Sequence, residues 1–525
     1  MSLDLASTAL VGKGRATAPP PTGARHWPAW LVPGLPAALA LALGLWGLSR
    51  QGAIWRDEAA TWEVAERSLS EIWHMTGHVD LVHGLYYLLI HAIFEVFGPH
   101  LMALRLPSVL GAVVAVAVTA ATARRLAGPL AGVAAGLALA VLPVMQRYGQ
   151  EGRSFTLVAA GVAVATWLLT GALGLTGPAE SATPRSERRR RPAELLRWTA
   201  YAAVMLATTL LNWLSLFALA AHGVTVLIAR RRGQRPLLAR WLVAAAVIFA
   251  GTLPLIVASS RQARQVAWIQ PPSAGSLLGV AAMLIVALAC TRAPGQARAP
   301  RSPAAVGLPL LAVPHLGLLL ASWLVKPLYV DRYVLFASIG LSLLAGPALA
   351  WVAQTLASRI RTRHRRPGRP RAGALLAGIV AVALLALLPL ELSLRTPESR
   401  TDDVRAAAAQ VATVAHPGDG IVFIPAHRRD AALLTPASFR GLDDLALAEA
   451  AAPSGTLYGT EAAPADIRAA MLTHRRIIVL SDSGSAPAAA TAQDRAKLAT
   501  LAQHFTPTAS GAAGGRQVTA YERNP

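Results

Sequence analysis

The chain has 525 residues, of which 54% are hydrophobic and 14% are charged. Soluble domains carry about a quarter charged residues, so this composition favours an integral membrane protein over a soluble one. The net charge of +22 does not imply nucleic-acid binding, because the excess basic residues lie between apolar runs. The single cysteine, Cys290, excludes internal disulfides and cysteine-rich metal sites.

Eleven apolar runs are long enough to form transmembrane helices. A helical residue rises about 1.5 Å and the hydrocarbon core is about 30 Å thick, so about 20 apolar residues suffice. The runs lie near residues 29–49, 106–123, 129–146, 155–175, 198–212, 214–229, 238–258, 276–291, 304–324, 333–357 and 372–393. We therefore predict an α-helical polytopic membrane protein. Its first helix is retained after an N-terminal tail of residues 1–28, because no clear cleavage site follows it.

Arginine clusters between these runs predict the topology. They hold 26 of the 49 Lys and Arg residues, and the segments that contain them hold only four acidic residues, which are Asp4, Glu180, Glu187 and Glu194. The clusters lie near residues 13–25, 124–125, 185–197, 230–240, 292–301 and 359–371. Short cytoplasmic loops carry this Lys/Arg excess. The N-terminus is thus predicted to be cytoplasmic, and the C-terminus to lie outside the plasma membrane.

Residues 84–98 form a shorter apolar segment with a different predicted position. If they crossed the membrane, every later arginine cluster would face outward. Apolar runs of about 10–14 residues are more often interfacial or re-entrant. His91 and Glu95 would also be costly in lipid. We predict a helix at the outer interface, within a first outer loop of residues 50–105.

Residues 394–525 differ in character from the membrane domain of residues 29–393. Basic and acidic residues balance there, so the net positive charge belongs to the membrane part. Short apolar segments alternate with helical patterns, which predicts a small extracytoplasmic α/β domain. The helices and strands are predicted at 402–415, 420–425, 476–482 and 493–505.

The first candidate site residues, Asp57 and Glu58, follow the first span in the segment WRDEAAT at residues 55–61. A carboxylate pair at such an exit can act as a general base, bind a divalent metal or stabilise a cation. Acidic residues also favour helix N-termini, so a purely structural role stays open.

Further polar residues cluster in the outer loops. Charged side chains in water-lined pockets beside a membrane are usually functional, although tyrosines there can serve only as interface anchors. Outward Lys and Arg run against the charge bias of the chain, and an anionic ligand such as phosphate would explain them. Arg105 could pair with Asp57 or Glu58, or bind a phosphate. The candidates are His83, Tyr87, Arg105, Gln150, Glu151, Arg153, Arg261, Arg264, Lys326, Tyr329 and Arg332.

Four segments in order, WRDEAAT, VHGLYYLLIH, LRLPSVLGAV and QEGRSF, resemble the GT-C superfamily of membrane glycosyltransferases. The branch that looks closest is glycosyltransferase family 39, which includes protein O-mannosyltransferases, the aminoarabinose transferase and bacterial mannosyltransferase-like relatives. The resemblance covers about residues 45–175, with weaker support from KPLYVDRY at 326–333.

This resemblance implies transfer of one sugar, with inversion, from a polyprenyl-phosphate donor to a hydroxyl on a protein, lipid or polysaccharide. Mannose is the sugar that the resemblance favours. Asp57 would be the general base, while Glu58 and Arg105 would hold the pocket. The phosphate leaving group needs cationic stabilisation, for which Arg332 and Arg153 are preferred. No cofactor is required, but a divalent metal held by Asp57 and Glu58 stays open.

Two other classes of function fit parts of the sequence. A lipid or glycolipid transporter would also have many spans, but it predicts ionisable residues within the spans and often repeated halves. The spans contain few charges and the chain shows no internal repeat. A non-catalytic membrane scaffold would leave Asp57 and Glu58 without a task.

Overall fold

The computed structural model describes residues 28–175, 187–230, 235–262, 268–294, 302–363, 372–484 and 490–525. The rest of the N-terminal tail, Arg264 and parts of the arginine clusters lie outside these ranges. The helices before the C-terminal domain are α1 Leu31–Leu45, α2 Arg56–Ala65, α3 Leu69–His78, α4 Gly84–Phe97, α5 Leu101–Ala127, α6 Pro129–Ala140, α7 Pro143–Gly149, α8 Phe155–Ala172, α9 Glu187–Leu211, α10 Leu216–Ala229, α11 Arg235–Ser260, α12 Ala274–Cys290, α13 Pro303–Leu324, α14 Ser338–Arg363 and α15 Ala372–Ser393.

A helix occupies each of the eleven predicted apolar runs. The third run is divided into α6 and α7, which meet at an angle of 61°. Within the described ranges, seven helices are long and apolar enough to cross a membrane, or eight if that bent pair is one span. The mostly helical, multi-pass architecture is confirmed, whereas the number of eleven crossings stays a prediction.

Small residues allow the helices of the bundle to pack closely. A Cβ added to Gly111 of α5 would lie 2.9 Å from the backbone of Thr156 in α8. A Cβ added to Gly346 of α14 would lie 2.6 Å from the carbonyl oxygen of Ala131 in α6. Close backbone approach at glycine is the usual way in which helices associate in lipid, where hydrophobic burial supplies little driving force.

The first outer loop folds into three helices, α2 to α4. A capping box starts α3, because the Glu71 N–H donates to the Ser68 hydroxyl and the Ser68 N–H donates to the Glu71 carboxylate. The helix predicted near residues 84–98 is present as α4, while its position at the outer interface stays a prediction. It packs edge-to-face on α2 through Phe94 and Trp62, with ring centroids 5.3 Å apart. The sequence pattern did not predict α3.

The C-terminal domain contains a five-stranded sheet in the order β2-β1-β5-β7-β6. β1 is parallel to β2 and β5, while β7 is antiparallel to β5 and β6. The predicted α/β domain is therefore confirmed, although the β6–β7 hairpin was not predicted. Its elements are α16 Val404–Val414, β1 Gly420–Ile424, α17 Asp430–Leu434, β2 Asp443–Asp444, β3 Leu447–Glu449, β4 Thr460–Glu461, α18 Pro464–Thr473, β5 Arg476–Asp482, α19 Ala492–His504, β6 Phe505–Ala513 and β7 Arg516–Arg523.

The C-terminal domain is attached directly to the start of α2. The Asp402 carboxylate accepts a hydrogen bond from the Arg56 N–H at 3.1 Å, and the Asp403 carboxylate accepts one from the Ile54 N–H at 3.3 Å. Apolar residues of both parts share one core, in which Trp62 and Ile54 join Val404. The domain therefore contacts the segment that carries the predicted carboxylates.

Candidate active site

The two neighbouring carboxylates in the first turn of α2 have different surroundings. Glu58 is fully buried, whereas the Asp57 side chain keeps 23% of its surface exposed. An acidic pair at this position is favoured by the partial positive charge of the helix N-terminus. Since only Asp57 is open to solvent, the two residues cannot have the same function.

Glu58 is the centre of a buried hydrogen-bond network. It accepts hydrogen bonds from Arg50 Nη2 at 2.5 Å, from Arg105 Nε and Nη2 at 2.8 and 2.7 Å, and from the Gly152 N–H at 2.9 Å. Burial alone would raise the pKa of Glu58, but Arg105 and Arg50 outweigh it and lower the pKa to about 2. Glu58 is therefore charged at neutral pH, and its contacts hold α2 to the segments that carry Arg50, Arg105 and Gly152.

Arg105, which α5 contributes, has all five N–H donors engaged within the protein. Besides Glu58, they reach the carbonyl oxygens of Leu48, Ser49 and Ala53 at 2.8, 3.0 and 2.5 Å. No donor remains for a phosphate in this arrangement. Arg105 was predicted to pair with Asp57 or Glu58, or to bind a phosphate. The structure shows the pairing with Glu58, which links the loop after α1 to α5.

Arg50 belongs to the same network but was not singled out from the sequence. It is 1% exposed and lies in a turn with φ of 45°. Such a left-handed conformation costs a non-glycine residue about 1–3 kcal/mol, and here the buried Glu58 contact holds it. The feature of the sequence that could have indicated Arg50 is its position directly after the first predicted span.

Among the predicted residues Gln150, Glu151 and Arg153, the first two make structural contacts and only Arg153 lies in the pocket. Gln150 Nε2 donates to the Gly44 and Trp46 carbonyl oxygens at 3.0 and 2.8 Å, and so caps the end of α1. Glu151 is buried and lies 2.7 Å from Arg400 Nε; burial raises the pKa of Glu151 although Arg400 opposes this. Only Arg153 extends toward Asp57.

Arg153 begins a chain of polar contacts beside Asp57. Its Nη1 donates to the Asp57 carbonyl oxygen at 3.3 Å, and its Nη2 lies 3.0 Å from His83 Nε2. His83 Nδ1 lies 2.7 Å from Asp80, whose other oxygen accepts from the Tyr87 hydroxyl. Because Arg153 can only donate, His83 Nε2 accepts and the ring proton sits on Nδ1, toward Asp80. The predicted residues His83, Tyr87 and Arg153 therefore form one unit.

Arg332 approaches Asp57 from the other side of the pocket. Its Nη2 lies 3.7 Å from Asp57 Oδ2, within ion-pair range but too far for a hydrogen bond. Aromatic rings surround the guanidinium at 5.2–5.9 Å from its carbon, and its buried Nε has no partner among the described residues. The rings belong to Trp55, Phe155, Trp268 and Tyr333. Arg332 is held in place, yet it retains donors for a ligand.

Lys326 and Tyr329 lie on the segment that leads to Arg332. The Tyr329 hydroxyl hydrogen-bonds His315 Nδ1 at 3.0 Å, and burial raises the pKa of Tyr329 to about 12. Lys326 is partly exposed and has no ion pair or hydrogen bond within the described ranges. Arg261 is exposed and likewise contacts none of the pocket residues described above.

The C-terminal domain adds two rings that the sequence did not reveal. His427 and Tyr458 have ring centroids 6.1 Å apart, and Arg429 Nη1 fixes their segments by donating to the Tyr458 carbonyl oxygen at 3.1 Å. Burial raises the pKa of Tyr458, with contributions from the nearby carboxylates of Asp430 and Asp57. The adjoining Leu457 packs on the apolar cluster that contains Tyr87. These rings therefore belong to the surroundings of Asp57.

The donor set is poor for a metal ion. Among the described residues, no three His, Cys, Asp or Glu side chains group closely enough to hold one. The oxygens of Glu58 are already engaged by arginines and a backbone N–H, which leaves Asp57 without a second carboxylate ligand from that pair. We therefore derive no step through a metal.

Comparison with known proteins gives one family match and several structural matches. Residues 85–177 match the family model of dolichyl-phosphate-mannose-protein mannosyltransferases. ArnT from Cupriavidus metallidurans in the apo state is 16% identical, with a TM-score of 0.55 over 93% of this chain and 97% of that chain. The same protein bound to undecaprenyl phosphate is 15% identical, with a TM-score of 0.53 over the same shares. No curated protein matches the chain by sequence.

The structural matches extend over nearly the whole length of both chains, including the C-terminal domain. The family match overlaps almost completely with residues 45–175, which carry the sequence resemblance. The predicted resemblance is therefore confirmed: the chain shares the fold of ArnT, and part of it matches the mannosyltransferase family model.

Proposed function

We propose that this protein transfers a single sugar, mannose in the first instance, from a polyprenyl-phosphate donor to an acceptor hydroxyl at the outer face of the plasma membrane. The observation that carries this proposal is the partly exposed Asp57 carboxylate. It lies 3.7 Å from Arg332, whose guanidinium is surrounded by aromatic rings, and beside Arg153. A base and fixed cations in one pocket are what transfer from a lipid phosphate requires.

The comparisons support the choice of donor. One similar structure, ArnT, has been seen with undecaprenyl phosphate, and the matching family model is named for dolichyl-phosphate-mannose. With the predicted topology, the N-terminus is cytoplasmic and the C-terminal domain extracytoplasmic. The acceptor is a protein, lipid or polysaccharide hydroxyl that enters between this domain and the pocket.

The proposed step is one displacement with inversion at the anomeric carbon. The acceptor oxygen forms a bond to that carbon while the bond from the carbon to the phosphate oxygen breaks. Asp57 takes the hydroxyl proton, and the polyprenyl phosphate leaves with the electron pair. A carboxylate suits this role because the proton moves only as the acceptor oxygen loses electron density in the transition state.

Arg332 stabilises the leaving phosphate. Its pairing with Asp57 is loose, so a bound phosphate can draw the guanidinium toward itself and free the carboxylate for the acceptor. One such preorganised donor contributes about 3–4 kcal/mol to the transition state. Arg153 has its Nη atoms engaged with Asp57, Thr61 and His83, so it orients the pocket more than it grips the donor.

The test compares Asp57→Asn with Glu66→Gln, an equally isosteric change of an exposed carboxylate directly after the same helix. Membranes containing each protein are given radiolabelled polyprenyl-phospho-mannose, and product release from the lipid is counted. We expect wild type and Glu66→Gln to transfer sugar and Asp57→Asn to lose at least about 100-fold in rate.

Equal transfer by Asp57→Asn and wild type would remove Asp57 as the base. If no variant transfers any sugar to any of the three acceptor classes, including with other polyprenyl-phosphate sugars, the enzyme proposal fails. A lipid transporter or a scaffold would then be the remaining candidates.

A further inference from the structure

An apolar groove lies between α9 and α11, away from the pocket around Asp57. Its volume is about 500 Å³, and it opens to the outside of the bundle. Leu195, Trp198 and Ala202 line it from α9, and Val243, Ala244 and Val247 line it from α11. These side chains offer contact to a hydrocarbon chain and little to a polar solute.

The groove sits at the strongly basic end of these two helices. α9 and α11 start on the same side, since Glu194 and Arg240, near the two helix starts, form an ion pair at the groove. Residues 187–197 and 230–240 together contain ten arginines and only two glutamates. A ligand with an apolar body and a negative head therefore matches the groove and its margin.

This end of α11 is the one far from the proposed active site. Gln262, just past the other end of α11, exchanges hydrogen bonds with the segment before His83, through the Leu81 N–H and the Thr76 carbonyl oxygen at 3.0 Å each. The 20 residues from Arg240 to Ser260 span about 30 Å at 1.5 Å each. The groove is thus too far away to hold the reacting phosphate of the donor.

A polar atom in the groove wall also lacks a partner. Trp198 is 6% exposed, and its indole N–H has no acceptor among the described residues. A buried donor without an acceptor is costly, so such groups are normally paired. Ester carbonyl oxygens near a lipid headgroup are acceptors at the depth where membrane tryptophans are usually found.

We propose that this groove binds an anionic phospholipid of the leaflet opposite the active site. One acyl chain occupies the apolar groove between α9 and α11, the ester region lies at Trp198, and the phosphate lies at the end of the groove marked by Arg240. Basic pockets between transmembrane helices bind anionic headgroups in this way. The bound lipid fixes the packing of α9 against α11.

The test uses the full chain, purified in detergent and stripped of lipid, with phosphatidylglycerol or phosphatidylcholine of identical acyl chains as probes. Native mass spectrometry counts bound lipid. Val247→Trp fills the groove from a position that is 53% exposed, so the fold should tolerate it. Val382→Trp, on the exposed apolar face of α15, is the matched control at 66% exposure.

Wild type and Val382→Trp are expected to retain phosphatidylglycerol about tenfold more tightly than phosphatidylcholine. Val247→Trp should lose this preference. Equal retention of the two lipids, or an unchanged preference in Val247→Trp, would mean that only unspecific surrounding lipid binds and would overturn the proposal. Displacement of phosphatidylglycerol by equimolar polyprenyl phosphate would also overturn it, because the site would then belong to the donor. None of these readouts depends on sugar transfer.

Discussion

Replacing Glu58 by glutamine should destabilise the fold strongly although it only exchanges one carboxylate oxygen for an NH2 group. The amide nitrogen cannot accept a hydrogen bond, so two of the four donors around residue 58 lose their acceptor whichever oxygen is replaced. Two fully buried arginines, Arg50 and Arg105, also lose their shared negative charge. Removing one partner of a buried ion pair costs about 3–5 kcal/mol.

The pKa of Glu58 gives a second route to the magnitude. A lowering from 4.5 to about 2 corresponds to about 3 kcal/mol of stability. Because the folded protein lowers this pKa, the contribution is complete above pH 4.5 and is lost as the pH falls toward 2. Glu58→Gln should therefore lower the free energy of unfolding at pH 7 by about 3–5 kcal/mol, and the difference from wild type should shrink in acid.

Denaturant unfolding in detergent micelles, followed by the fluorescence of the 13 tryptophans, measures this difference. Glu63→Gln is the control on the same helix, because Glu63 pairs only with Arg67 and burial raises its pKa to about 7. Because burial raises this pKa, the charged form of Glu63 adds no stability to the fold, and we expect that variant to cost less than Glu58→Gln. If Glu58→Gln unfolds like wild type but transfers no sugar, Glu58 acts on the substrate, and its structural role in the buried network is refuted.

Three further changes probe the pocket. Arg332→Ala should lower kcat/KM for the polyprenyl-phosphate donor about 100- to 1000-fold without affecting membrane insertion, and unchanged donor kinetics would remove it from the phosphate site. Tyr458→Phe should raise the KM for the acceptor several-fold and leave the donor KM and the melting temperature unchanged, since its hydroxyl has no hydrogen bond within the described ranges; a shift in melting temperature alone would show a structural role. Gly152→Ala should cost about 1–3 kcal/mol in unfolding, because its Cβ would lie 2.4 Å from Leu104 Cγ; wild-type stability would show that Leu104 moves aside freely.

Sequence patterns were sufficient for elements that depend on local composition. The apolar runs form helices because a lipid-facing backbone must satisfy its own hydrogen bonds, and each run does so within itself. The strands near 420 and 476 were recognised for the same kind of reason, as short apolar segments between helical patterns. The β6–β7 hairpin escaped because its first strand is Ala-, Ser- and Gly-rich and mostly exposed.

The sequence pointed to several residues that the structure brings together, among them Asp57, Arg153 and Arg332, but it did not indicate their separate contacts. The sequence placed Asp57 and Glu58 side by side but could not show that one is open and the other enclosed. That difference is set by Arg105 and Gly152, which are 47 and 94 residues away from Glu58. Tyr458 could not be predicted as a site residue for the same reason, because the folding of the C-terminal domain brings it to the pocket.

The attachment of Asp402 and Asp403 to the backbone before and at the start of α2 has a consequence for how the protein can be divided. Trp55, at the N-cap position of α2, provides no side-chain acceptor for the free N–H groups of the first turn. The remote aspartate at 402 serves the Arg56 N–H in its place. A fragment that stopped after α15 would keep the described helices α1 to α15, yet the first turn of α2, which carries Asp57, would lose this contact at its start. If the protein transfers sugar as proposed, the C-terminal domain is expected to be required even for slow hydrolysis of the donor by water, which needs no acceptor.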